Sequence, residues 1–252
     1  MDILTKSELI KQAVYYTPSQ QVTVPANGTA TATFQGYNGN LYGLNRFLIG
    51  GSSLSSILVT AQMKNSDGEL TLFKNIQLNV LQELFLSHSL RGAYPIEEQT
   101  LLDLTFTNTS GADIDVNMEL VGYSKVQLEN LKKKYECNNA IFPKPIFIYA
   151  QQSIAASATD SIVKVTLPAS KLRLYRMALK SDSDADIQVK IRHNRTYIKP
   201  LVYLSQINDE FKNLDIILPI DLDPTTPFEL FVTNLDGVNA HTVSFLAETY
   251  KV

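Results

Sequence analysis

The chain has 252 residues, 44% hydrophobic and 19% charged, with a formal net charge of −3. That composition excludes a disordered polymer, and the slight acidity without a dense Lys/Arg stripe excludes a surface built to grip nucleic acid. With Cys137 as the sole cysteine, an intramolecular disulfide is excluded and packing must supply the stability.

Residues 3–16 predict an amphipathic helix. Ile3, Leu4, Leu9, Ile10, Ala13 and Val14 recur at helical spacing, and Thr5 with Glu8 has the form of a capping box. Thr17-Pro18 stops it. Such a helix packs on its own domain or a neighbouring subunit, or serves as an arm exchanged between subunits or laid along the inside of a particle. Asp2, Lys6, Glu8 and Lys11 interrupt any secretory apolar core. No later stretch approaches the roughly 18 apolar residues of a membrane span, so synthesis and folding in a cytoplasm are expected. Without an export signal, the Asn-x-Ser/Thr triplets at Asn27, Asn108 and Asn194 carry no glycosylation meaning.

From residue 21 the pattern turns β. Residues 21–34 alternate around Ala26-Asn27-Gly28 and predict a hairpin. Residues 46–49 and 56–63 predict two strands joined by Gly50-Gly51-Ser52-Ser53, and Asn65-Ser66-Asp67-Gly68 predicts a turn. Residues 78–86 predict a short helix. A further helix is expected over 125–136, ended by Asn138-Asn139. Pro143 and Pro145 then force an extended segment. In the second half, residues 154–167, 172–179, 187–191 and 196–204 read as strands, 205–213 as a short helix, and 214–222 with a final hairpin closes the chain.

The chain also repeats itself. LDLTFTNTSGADIDVNMELVGY (residues 102–123) returns as FELFVTNLDGVNAHTVSFLAETY (residues 228–250), with Asp103 and Glu229, Thr107-Asn108 and Thr233-Asn234, Gly111 and Gly237, Tyr123 and Tyr250 in matching places. Upstream, Pro95-Ile96 answers Pro219-Ile220, Leu44-x-Arg46 answers Leu174-x-Arg176, and Ile57-x-Val59 answers Ile187-x-Val189. Blocks kept in the same order in each half imply a tandem duplication. The expected organisation is a helical arm over 1–20, a β-module over 21–125, a helical and Pro-containing linker over 126–150, and a second β-module over 151–252. The fold class is all-β with a few short helices: two tandem jelly-roll-like sandwich or barrel modules.

The material for chemistry is poor. His88, His193 and His241 form no HExxH or HxH pattern, and there is no GxSxG, P-loop or dinucleotide fingerprint. Ser181-Asp182-Ser183-Asp184-Ala185-Asp186 spaces its carboxylates alternately but lacks the Gly and distal Glu of an EF-hand. It reads as a solvated turn, with a weak ion site as the alternative. Tyr37, Tyr42 and Tyr94 fall near predicted loops, where they contact a ligand, contact another subunit or line a sandwich edge. Arg46 and Arg176, repeated among apolar neighbours, read as structural partners of Asp103 or Glu229. No catalytic residue, cofactor site or metal ligand is assigned.

On the duplicated modules and inserted helices, the chain resembles the double jelly-roll capsid proteins of tailless, lipid-containing bacterial viruses. The resemblance covers residues 21–123 and 154–250 as barrels, with 78–86 and 205–213 as inserted helices. It implies a non-enzymatic virion structural protein without cofactor. Such a subunit assembles as a homotrimer into a shell, through lateral contacts with itself and with other virion proteins. The N-terminal arm would contact neighbouring subunits or an inner membrane, and no direct nucleic-acid contact is implied. Two rivals use the same modules: a receptor- or carbohydrate-binding spike or tail protein, and a capsid decoration protein. A hydrolase would require one of the three histidines to meet an acid and a hydroxyl.

Overall fold

The computed structural model describes residues 15–35, 41–66, 68–86, 90, 92–96, 100–138, 142–206 and 220–252. By compactness the chain divides into two units. One comprises Met1–Ser52, Thr60–Leu72 and Phe85–Pro145, the other Ser53–Val59, Phe73–Leu84 and Ile146–Val252.

Seventeen strands are defined among the described residues. The first nine are β1 (Tyr15–Tyr16), β2 (Gln20–Val24), β3 (Thr29–Gln35), β4 (Gly43–Gly51), β5 (Ile57–Asn65), β6 (Gly68–Gln77), β7 (Tyr94–Pro95), β8 (Leu101–Asn108) and β9 (Ile114–Tyr123). Then follow β10 (Ile146–Ile154), β11 (Ser161–Val165), β12 (Leu172–Ser181), β13 (Ile187–His193), β14 (Thr196–Tyr203), β15 (Ile220–Leu222), β16 (Phe228–Asn234) and β17 (His241–Lys251). In the first copy the sheets run β2-β9-β4-β7, with β1 also on β9, and β3-β8-β5-β6; in the second they run β10-β17-β12-β15 and β11-β16-β13-β14. Counting eight strands from β2 and eight from β10, both copies give first-eighth-third-sixth and second-seventh-fourth-fifth. This is the two-sheet, double Greek-key order of a complete jelly roll. Strand alternation supplies each interior, with buried and half-buried residues strictly alternating along β16, because successive side chains point to opposite faces.

The duplication is reproduced down to its irregularities. The β4–β9 ladder slips between Leu44 and Arg46, and the β12–β17 ladder slips between Leu174 and Arg176. Asn45 and Tyr175 are therefore equivalent bulge residues. A bulge re-aims the side chains beside it. In one copy Asn45 is buried and donates to the carbonyls of Leu90 and Gly92, both at 2.9 Å. In the other, Tyr175 packs edge-on to Tyr250, with ring centroids 5.2 Å apart.

The repeated Thr-Asn pair has a shared physical reason. Asn108 donates to the carbonyls of Val24 and Ala112 and accepts from the Ser110 N–H. Asn234 donates to those of Ile154, Ala155 and Asn239 and accepts from the Asp236 N–H. Both amides are buried and close the turn between the last two strands onto the end of the first. That turn, expected to join a hairpin, instead passes between sheets: β8 and β9 lie in opposite sheets, as do β16 and β17. Residues 21–34 behave likewise. The Pro25 to Gly28 turn is present, with Gly28 donating to the Pro25 carbonyl at 2.9 Å, but β2 and β3 join different sheets. Alternation specifies a strand with one buried face and is silent on which sheet it enters.

Other expectations meet the structure unevenly. Helix α1 (Leu78–Leu86) forms as expected. Helix α2 (Lys125–Cys137) starts at Ser124, whose hydroxyl accepts from Gln127 N–H while the Gln127 side chain accepts from Ser124 N–H. It buries Leu128, Leu131 and Tyr135 against Ala93 and Tyr123, while Val126 is exposed. The strand expected over 154–167 is broken at residues 155–160, where Ser157 and Asp160 take φ of 54° and 50°. Ile146 to Ala150, placed in the linker by sequence, open β10. The helix expected over 3–16 lies outside the described residues except at its end, where Tyr15 and Tyr16 pair as a strand with Gly122 and Val121. Thr17-Pro18 follows a strand there and not a helix. Residues 204–206 are helical, and the rest of the helix expected over 205–213 lies outside the described residues.

Candidate functional site

The two described histidines, His193 and His241, stand in different settings. His193 Nε2 lies 2.7 Å from Thr226 Oγ1, but that hydroxyl also donates to the Asp223 carbonyl at 2.9 Å. The imidazole therefore donates to the oxygen and does not draw a proton from it. Burial pushes the His193 imidazole below its ordinary value, with Asp223 pulling the other way. Asp223 turns its Oδ1 to Thr225, accepting from its N–H and hydroxyl. His241 meets only carboxylates, at Asp182 and Asp236, and no nucleophile. His88 lies outside the described residues.

The Asp-rich loop behaves as turn chemistry. Asp184 accepts from Ser181 N–H at 2.7 Å and from Lys180 at 3.0 Å, and the Ser183 hydroxyl donates to Asp186. Lys180 also reaches Glu83 at 3.4 Å. Two of the expected contact tyrosines pack within the fold, Tyr94 buried and Tyr42 half-buried. Tyr94 is buried with its phenol pushed up to about 12 by desolvation, and Tyr42 packs against the α2 cluster. Tyr37 lies outside the described residues.

The repeated arginines are structural but choose other partners. Arg46 donates to the carbonyls of Phe85 and Leu86 at 2.9 and 2.8 Å, where a cation favours a helix C-terminus. Arg176 pairs with Glu248, Nε to Oε2 at 2.6 Å, and Glu248 also accepts from the Tyr250 hydroxyl. Asp103 instead pairs with Lys64 at 2.9 Å, and Glu229 with Arg192 at 2.7 Å.

Where the copies part company is on the outer face of the second-seventh-fourth-fifth sheet. In the first copy Thr31 faces Thr105 and Thr33 faces Asp103, with their side chains hydrogen-bonded across the strands. In the second, the corresponding ladder sets Ile162 against Phe231, and Lys164 against Glu229. Next to these, Tyr197 faces Arg192 and Tyr203 faces Gln188. Ile162, Tyr197, Leu201 and Tyr203 are 43%, 51%, 48% and 40% exposed. Two ion pairs lie within the face: Arg192 bonds Glu229 and lies 4.5 Å over the Phe231 ring, and Lys190 bonds Asp160 at 2.9 Å. Strand β14 ends the sheet order. Pro200 lies within it, and its ladder with β13 slips twice, which blunts the edge against strand addition. What this leaves for contact is a face rich in Tyr, Phe and Ile, the composition of an interface core. The sequence hid it because Ile162 and Phe231 look like core residues until the ladder shows which way they point.

Each half of the chain thus has the jelly-roll order, so the architecture is a double jelly roll. No family model and no curated protein matches the sequence. Among solved structures, the chain is similar to the STIV MCP over 93% of this chain and 96% of that one, at 11% identity and a TM-score of 0.49. A second likeness is to the atomic structure of Sulfolobus Turreted Icosahedral Virus, at 10% identity, 94% and 91% coverage and a TM-score of 0.49. A third is to the major capsid protein P2 from bacteriophage PM2, at 10% identity, 93% and 97% coverage and a TM-score of 0.43.

Proposed function

We propose that this chain is a virion structural protein, a capsid subunit that assembles through lateral contacts with copies of itself. The observation that carries the reading is the tandem of two complete jelly rolls, alike down to the bulge before Arg46 and Arg176. Jelly rolls serve shells and lectins alike. Duplication favours the shell, because one chain then offers similar edges twice and a cyclic trimer presents six near-equivalent sides. The apolar outer face of the second copy supplies a surface for such contact with a second copy of the chain.

The test is the mass and shape of the full chain in solution. Light scattering across a concentration series should give three times the 28.1 kDa chain mass, and electron microscopy should show ring-like or larger closed assemblies. A strictly monomeric protein at the highest soluble concentration would defeat the proposal. Monomers that bind immobilised glycans would instead favour a spike or receptor-binding role.

A further inference from the structure

We propose that Asp186, Asp236 and His241 form a site in the second jelly roll for one divalent transition-metal ion of the zinc type. The three come from different parts of the chain: Asp186 from the connection between β12 and β13, Asp236 from the turn between β16 and β17, and His241 from the first residue of β17. Each offers one ligand atom, and those atoms lie within 4.8 Å of one another. His241 Nε2 and Asp236 Oδ2 are 3.1 Å apart. Two ligands of a tetrahedral ion, each bound at about 2.0–2.1 Å, stand roughly 3.3 Å from each other, so this pair already has ligand spacing. Asp186 has to close by at most about 1.5 Å to match it, which a rotation of its own side chain supplies. One imidazole and two carboxylates favour a borderline ion such as Zn²⁺ over Ca²⁺ and Mg²⁺, which prefer oxygen shells.

The surroundings are those of a prepared ligand set. His241 Nδ1 lies 3.0 Å from Asp182 Oδ1, and the imidazole side chain is only 12% exposed. A metal on Nε2 leaves Nδ1–H to donate to Asp182, the carboxylate behind the ring that orients a ligating histidine. The two loops need no ion to bring them together, because Leu235 N–H already donates to the Asp186 carbonyl at 2.8 Å. Asp236 is fixed by the Asn239 side chain and by the N–H groups of Val238 and Asn239, and Asp186 accepts from the Ser183 hydroxyl. Ligands held in this way lose little freedom on binding. Lys180, at the approach to the same loop, is engaged by Asp184 and Glu83 instead.

The first copy shows that the jelly roll does not need these groups. Val116 pairs with Gly51 as Val243 pairs with Ser181, which sets Ile114 in the place of His241 and Ser52 in that of Asp182. Ser56 precedes Ile57 as Asp186 precedes Ile187, and Ser110 follows Asn108 as Asp236 follows Asn234. Both copies close the turn with the same asparagine, which accepts from the Ser110 N–H in one and from the Asp236 N–H in the other. The carboxylates and the imidazole are therefore additions of the second copy, and what they add in common is the capacity to hold a metal.

Calorimetric titration of the full chain with Zn²⁺, after treatment with a chelator, tests the site. One Zn²⁺ should bind per chain, while Ca²⁺ and Mg²⁺ should bind far more weakly. His241→Ile with Asp186→Ser, which installs the residues of the first copy, should abolish binding and leave the thermal midpoint in chelator unchanged. If that variant melts below the wild-type chain, His241→Gln alone decides by the same loss of binding. Asp182→Asn should weaken Zn²⁺ about tenfold through the ring that it orients, and His193→Gln should change nothing. A chain that takes up no stoichiometric Zn²⁺, or that binds it as tightly without His241, would overturn the proposal. Ca²⁺ bound as tightly as Zn²⁺ would do the same, since the imidazole would then have no part in the site.

Discussion

A charge in an all-β fold has to be answered within reach, and the two arginines of the repeat, Arg46 half-buried and Arg176 buried, are answered differently. Arg46 sits opposite Val121, and Arg176 opposite Glu248, in the same register of the two ladders. The first donates to the helix carbonyls of Phe85 and Leu86, and a valine lies across from it. The second faces a carboxylate whose side chain is fully buried, bonded also by Tyr250. Removing one member of a buried pair leaves an uncompensated charge and costs about 3–5 kcal/mol, while replacing both with apolar groups is often neutral. Glu248→Ala should therefore lower the urea midpoint severely, and Arg176→Met with Glu248→Leu should recover most of the loss. A double variant no more stable than the Glu248→Ala single would show that the pair contributes net stability that apolar packing does not replace. The buried asparagines obey the same logic in neutral form: a short amide at Asn108 or Asn234 can donate twice and accept once without importing charge.

At the scale of elements, the β13–β14 hairpin is the clearest local instruction. Asn194 and Arg195 take φ of 48° and 64°, both in the left-handed region that a tight two-residue hairpin requires. Asn tolerates it, but a side chain such as that of Arg pays about 1 kcal/mol there. Arg195→Gly should raise the thermal midpoint by a few degrees, measured by circular dichroism, and no gain would mean that the arginine side chain compensates its own strain. The turn at Ala26-Asn27-Gly28, the helices over 78–86 and 125–136 and the duplication itself were legible in the sequence, since Gly, Asn and periodicity act locally. The arches were not. Whether a strand after Asn108-Thr109-Ser110 returns to its own sheet or crosses to the other depends on the Asn108 bond to Val24, 84 positions away in the chain. The Asp182–His241–Asp236 arrangement was hidden for the same reason, because 59 positions separate His241 from Asp182.

At the scale of the whole molecule, a duplicated fold supplies its own control. Both copies need the same buried positions, so Leu104 and Leu230, or Val59 and Val189, stay apolar and buried. Outer-face positions are under no such demand from the fold, and there the copies differ: Thr31 and Thr105 against Ile162 and Phe231. Exchanging the second set for the first, as Ile162→Thr with Phe231→Thr, therefore removes contact surface that the jelly roll itself does not need. The cost to folding is limited to the Arg192 stacking over Phe231, about 0.5–1 kcal/mol at an exposed site. A self-contact built on this face should weaken far more, since aromatic anchors at the centre of an interface are worth 2 kcal/mol or more each. The double variant should keep its urea midpoint nearly unchanged and shift from trimer to monomer by light scattering at concentrations where the wild-type chain is assembled. If its mass is unaltered, subunits join through another surface, and the apolar character of this face needs a different occupant.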